Sequence, residues 1–92
     1  MKHREVHLRD RSKVRVREED LPKVGLKLES EAFDLLVESV RRQSLLSPIF
    51  VDVKGYVTSG HYRLWAADRV GLETVPCVVA STQEEIIEYL TR

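Results

Sequence analysis

The chain has 92 residues, one cysteine, and 15 Lys/Arg against 15 Asp/Glu. That length supports one domain with a single small core and excludes a large multidomain enzyme. A hydrophobic share of 42% with 33% charged residues is globular rather than disordered.

No apolar run approaches the ~20 residues that cross a bilayer. The charged start Met1-Lys2-His3-Arg4-Glu5 does not read as a secretory signal. Cys77 has no disulfide partner and no zinc-ligand spacing around it, so no metal site is expected. The expectation is one cytoplasmic domain over residues 1–92, without membrane association. Charge is uneven: residues 1–27 carry nine Lys/Arg and five Asp/Glu, residues 28–92 six and ten. Residues 1–12 read as a flexible basic arm. Arg9, Arg11, Arg15 and Arg17 are the candidates for tracking a nucleic-acid backbone, although the same arginines would pair equally well with acidic helix faces. Ten Arg against five Lys, with no Asn, is a composition suited to a thermophile. His3 and His7 have metal-ligand spacing only on a helix, and the segment lacks a helical pattern, so it reads as a frayed terminus.

In chain order, Lys13-Val14-Arg15-Val16-Arg17 alternates basic and apolar and predicts a half-buried strand. Pro22 and Gly25 predict a loop to about residue 28. Ser30 predicts a helix cap, with Glu31 and Asp34 at the positive end of the dipole. Phe33, Leu36, Val37 and Val40 form its apolar face, and Arg41-Arg42 suit its end. Ile49 to Val53 predicts a strand opened by Pro48. Asp52 would lie on its solvated side, where it could alternatively hold Mg²⁺ or a ribose. Lys54-Gly55 predicts a hairpin turn and Tyr56-Val57-Thr58 the return strand. A second helix spans His61 to Val70, stopped by Gly71. Thr74 to Ala80 reads as a strand buried on both faces, or as an edge strand because of Pro76. Ser81 and Glu84 predict a capping box for a last helix carrying Ile86, Ile87 and Leu90. The sum is a small α/β (α+β) domain, a mixed sheet with packed helices.

The segment Thr58-Ser59-Gly60-His61-Tyr62-Arg63 carries the chemistry. It lies at a strand-to-helix junction, where the first helical N–H groups have no internal partner and the dipole is positive. Gly60 permits close approach of a ligand, Ser59 and His61 add side-chain hydrogen-bonding groups, and Arg63 can fork onto phosphate oxygens. Together they predict a phosphate pocket. The plainer alternative is an ordinary helix with Ser59 as its N-cap. Tyr62 is a candidate ligand contact. Trp65 could stack on a base, but a packing role is the simpler expectation. Cys77 reads as a small buried hydrophobe.

From Leu35 to Val79 the text reads LLVESVRRQSLLSPIFVDV, a hairpin, SGHYRLWAADRVG, then VPCVV. It resembles the ParB/sulfiredoxin superfamily, shared by ParB N-terminal domains, sulfiredoxins and ParB-like free serine kinases. The resemblance implies that fold. It also implies nucleotide phosphates held by Gly60, His61, Tyr62 and, principally, Arg63, with Pro48 and Ile49 at the pocket wall. The implied ligand is ATP, ADP or CTP, with Mg²⁺ neutralising the phosphates. The departures are specific. Sulfiredoxins carry a nucleophilic cysteine where His61 stands, so thiol chemistry is not expected. ParB proteins have a Gly-Glu-Arg-Arg type motif, so His61 and Tyr62 leave CTP preference open. The serine-kinase motif is nearest, but its acidic stretch follows a Leu-Pro pair. Here Lys23-Val24-Gly25 follows Leu21-Pro22, and Glu18, Glu19, Asp20 or Glu29 would have to substitute from a re-registered loop.

The expectation is a nucleotide-binding domain, with NTP hydrolysis or kinase-like phosphoryl transfer as the reactions such a site would support. No catalytic residue is assigned. The alternative is a non-enzymatic DNA- or RNA-binding accessory, partition or regulatory module. A nuclease ranks last, for want of paired carboxylates. Oligomeric state is open; a dimer is compatible, with Leu45-Leu46 as a contact.

Overall fold

The computed structural model describes residues 5–21, 30–45 and 47–91. His3, the Lys23-Val24-Gly25 stretch, Glu29 and Leu46 lie outside them. The elements are β1 (His7–Asp10), a 3₁₀ turn (Arg11–Lys13), a second 3₁₀ turn (Glu18–Asp20), α1 (Glu31–Gln43), β2 (Ile49–Val51), β3 (Val57–Ser59), α2 (His61–Val70), β4 (Thr74–Val79) and α3 (Gln83–Thr91). The sheet order is β1-β4-β2-β3. β4 runs antiparallel to β1 and parallel to β2, and β2 and β3 are antiparallel. The expected mixed α/β domain is the one observed.

α1 forms as its sequence predicts. The Ser30 hydroxyl accepts the Phe33 N–H at 3.2 Å, Glu31 and Asp34 sit in the first turn and Arg41 and Arg42 in the last. Its buried residues are Phe33, Val37 and Val40. α2 works on two sides. Leu64 and Ala67 pack on Ile49, Val51, Val57, Val75 and Cys77 of the sheet, while Ala66 packs against the buried face of α1. Small side chains at both positions let the helix approach two layers closely. α3 covers the other sheet face, with Ile86 packed on Phe50, Val78 and Ala80. Tyr89 meets Phe50 edge-on at 5.5 Å.

The first strand lies elsewhere than the alternation predicts. Residues 13–17 form one isolated parallel bridge, Arg15 with Tyr56, and Val14 is buried. The paired strand is His7–Asp10, within the expected basic arm, held by backbone bonds along β4. It is an edge strand with no residue buried, so no alternation marks it. β2 ends at Val51, and Asp52 is 8% exposed rather than solvated. The cap of α3 falls one residue later than predicted. The Thr82 hydroxyl accepts the Glu85 N–H, and the Glu85 carboxylate accepts the Ser81 N–H. Leu45 is half-buried against both core clusters rather than free on the surface.

β4 is central despite Pro76. Arg11 N–H donates to the Glu73 carbonyl at 2.8 Å, and bonding residues alternate along an antiparallel ladder. Position 76 therefore faces away from β1, and the β2 pairing begins only at Cys77. The missing N–H falls where no partner needs it.

Candidate functional site

β3 delivers the chain to α2 through Gly60, whose φ is 101°. A side chain is strained at that angle, and a Cβ there would stand 3.4 Å from the Ile49 Cα. Gly60, not Ser59, is the N-cap, and among the described residues no side chain caps the helix. The first helical bond is Leu64 N–H to the Gly60 carbonyl at 3.0 Å. The N–H groups of His61, Tyr62 and Arg63 therefore have no partner among the described residues. They open a pocket of about 420 Å³ lined by Leu36, Ser59, Gly60, His61, Tyr62 and Arg63. Ile49 backs Gly60; Pro48, which precedes Ile49 in the sequence, is outside that lining. The Arg63 guanidinium has no hydrogen-bond or ion-pair partner among the described residues. A smaller pocket of about 200 Å³, lined by Ser30, Ala32, Phe33, Leu36 and Tyr62, adjoins it through Leu36 and Tyr62.

One residue reaches this site from the far end of the sequence. Asp20, on the second 3₁₀ turn, places its Oδ2 3.1 Å from the His61 Nε2. Both side chains are half-buried, at 25% and 14% exposed. His61 and Tyr62 each lie near Trp65, at ring distances of 5.9 and 6.3 Å. Trp65 packs against the α1–α2 cluster, which bears out its structural reading. The signal for Asp20 in the sequence was only its place immediately before Leu21-Pro22.

The four arginines have different neighbours. Arg11 forks onto Asp68 at 2.6 and 2.9 Å and donates to the Val14 carbonyl. Arg17 pairs with Asp52. Arg15 and Arg17 lie over the Tyr56 ring, at 5.9 and 5.4 Å. Arg9 stands near Gly55. Burial alone would push the Asp52 carboxyl up. The N–H groups of Tyr56, Lys54 and Gly55 and the Arg17 guanidinium outweigh burial and hold it below the usual carboxylate range. Burial pushes the Cys77 thiol up, which suits a core residue rather than a nucleophile. His7 lies on β1, not on a helix. Among the described residues no group of three or more His, Cys, Asp or Glu converges as a metal site. Nor is any helix among them long and apolar enough to cross a membrane.

The model of the ParB N-terminal domain family matches residues 7–91. The chromosome-partitioning protein ParB of Caulobacter crescentus, C-terminally truncated and complexed with CTP-γ-S, superposes with a TM-score of 0.69 at 27% identity, covering 96% of this chain and 54% of that one. Sulfiredoxin of Arabidopsis thaliana superposes with a TM-score of 0.62 at 24% identity, covering 96% and 98%, a likeness of fold alone. A ParB-like nuclease domain-containing protein of Escherichia coli K12, YnaK, is 37% identical over 46 residues, 50% of this chain and 53% of that protein. The chain thus spans about half the length of this curated relative.

Proposed function

The chain belongs to the ParB N-terminal domain family, and from that premise we propose that it binds a nucleotide with its phosphates on the start of α2. The observation that carries this reading is the run of three N–H groups at residues 61–63, beside Arg63 in one open pocket, none of them with a partner among the described residues. Oriented N–H groups and the positive helix end attract an anion without rearrangement, and the guanidinium adds a fork matched to phosphate oxygens. The Ser59 hydroxyl is a further donor. The adjoining apolar pocket, with Tyr62 between the two, takes the nucleoside. Support for a nucleotide rather than a simple anion comes from the Caulobacter ParB bound to CTP-γ-S.

Mg²⁺ fits as a passenger rather than a resident ion. Among the described residues the carboxylate that reaches a pocket-lining side chain is Asp20, already engaged with His61, so the ion would be held chiefly by phosphate oxygens and water. For turnover, Asp20 and His61 are the acid–base pair within reach, with Arg63 neutralising charge on the transferred group. Nucleic-acid binding through Arg9, Arg11, Arg15 and Arg17 has less support, because Arg11 and Arg17 already serve internal carboxylates.

The test is calorimetric titration with CTP, ATP, ADP and GTP in Mg²⁺, beside an Arg63→Ala variant. Binding of one nucleotide, lost in the variant, supports the reading. No binding to any of the four overturns it, and salt-dependent affinity for DNA would then favour the nucleic-acid module.

A further inference from the structure

No residue of the second 3₁₀ turn is buried, so apolar packing does not fix where the turn lies. Polar ties at its two ends do. At the entry, Arg17 is the N-cap and donates through its guanidinium to the Asp52 carboxylate. At the exit, the Asp20 carboxylate meets His61. Between the two, the Asp20 N–H donates to the Arg17 carbonyl at 3.0 Å. Arg17 and Asp20 are therefore the ends of one hydrogen-bonded turn, and a shift of one carries the other.

The entry tie is the fixed one. Asp52 is buried, and its Oδ1 is taken by the Lys54 and Tyr56 N–H groups of the hairpin, so Arg17 finds its Oδ2 in one place. Upstream, Val14 is buried. The Arg15 N–H donates to the Gly55 carbonyl, and the Arg15 carbonyl accepts the Val57 N–H, both at 2.8 Å. The chain thus reaches Arg17 along a set course. The exit pair is partly exposed, and such pairs hold little by themselves. Asp20 is delivered to His61 from the hairpin side. Its effect there follows from the two groups. A carboxylate only accepts, so the His61 Nε2 must carry the hydrogen. That selects one ring orientation and leaves Nδ1 for a ligand in the pocket that His61 lines.

We propose that Arg17 and Asp52 are positioning residues for the nucleotide site: they set the 3₁₀ turn so that Asp20 holds His61 in one orientation and tautomer for a bound phosphate. The proposal rests on the nucleotide reading of the α2 start. It adds a route from the hairpin to that site, through two side-chain pairs and the turn that joins them.

The experiment uses the full chain at one pH, below the melting transition of every variant, with two readouts. In the ligand-free protein, ¹⁵N shifts of the His61 ring, identified with a His61→Gln variant, report tautomer and hydrogen bonding. Calorimetric titration with CTP, ATP, ADP and GTP in Mg²⁺ reports affinity. Arg17→Ala is expected to move the His61 signals in the direction that Asp20→Ala moves them, and to weaken binding about three- to fivefold. In an Asp20→Ala background the same substitution changes affinity by less than about twofold, because the route is already cut. Arg17→Lys keeps a cation on Asp52 and returns both readouts toward the parent. Arg11→Ala breaks the Arg11–Asp68 pair near the other end of α2 and leaves both readouts unchanged. Asp52→Asn weakens the Arg17 tie from its other side and repeats the test should Arg17→Ala fail to fold. His61 signals that stay in place when the tie is broken overturn the proposal. So does an affinity loss that is equal with and without Asp20, which makes Arg17 structural only. A parent chain that binds none of the four nucleotides overturns the site reading itself and this role with it.

Discussion

The two ends of β3 carry polar sites of opposite character. At the hairpin end, the Asp52 carboxylate accepts the Lys54 N–H at 2.9 Å and the Tyr56 N–H at 3.0 Å, and takes the Arg17 guanidinium on its other oxygen. Nearly every donor there has been supplied by the chain itself. At the helix end, three N–H groups and a guanidinium have no partner among the described residues and stand beside a pocket. A saturated buried carboxylate ties segments together; here it fastens residues near the N-terminus to the hairpin. Donors left open cannot serve that purpose, since they stabilise nothing until an anion arrives.

Breaking the saturated end should have the largest effect. Asp52→Ala leaves Arg17 and two N–H groups without their acceptor and should lower stability by about 2–4 kcal/mol, read by denaturant unfolding. The pH dependence follows from the depressed folded-state carboxyl. Its stabilisation is present above the unfolded value of about 4 and is lost as pH falls through the folded one. Acid unfolding of Asp52→Asn should therefore be flatter over that window, and equal slopes would remove the carboxylate from the account.

At the open end, Arg63→Ala should lose about 1.5–3 kcal/mol of nucleotide affinity by calorimetry, with a melting temperature within a degree or two of the parent. A large loss of stability instead would show that Arg63 has a structural partner. Gly60→Ala bridges the two classes: strain at φ 101° should cost about 1–3 kcal/mol of stability, and the shifted helix start should weaken nucleotide binding as well. Asp20→Asn should be the smallest change, moving affinity or stability by about 1 kcal/mol or less, because a partly exposed pair is weak in either role. If it abolished turnover while binding persisted, Asp20 would be assigned to the chemistry.

The sequence by itself determined the elements whose signals are local. Ser30 with the Phe33–Val40 face marked α1, Ser59-Gly60 and Gly71 bracketed α2, and the apolar run before Ala80 marked β4. Each depends on capping, period or backbone freedom within a few residues. The anion-suited start of α2 was legible for the same reason. What only the tertiary structure decided involves partners far apart in the chain. β1 is a strand because β4 offers it a ladder, not because of its own pattern. Asp52 takes its charge partner, Arg17, from 35 residues earlier. Asp20 joins the site across 41 residues because a 3₁₀ turn lays it against His61. Side-chain pairings of that separation leave no periodic trace, since nothing in local spacing distinguishes one surface carboxylate or arginine from another.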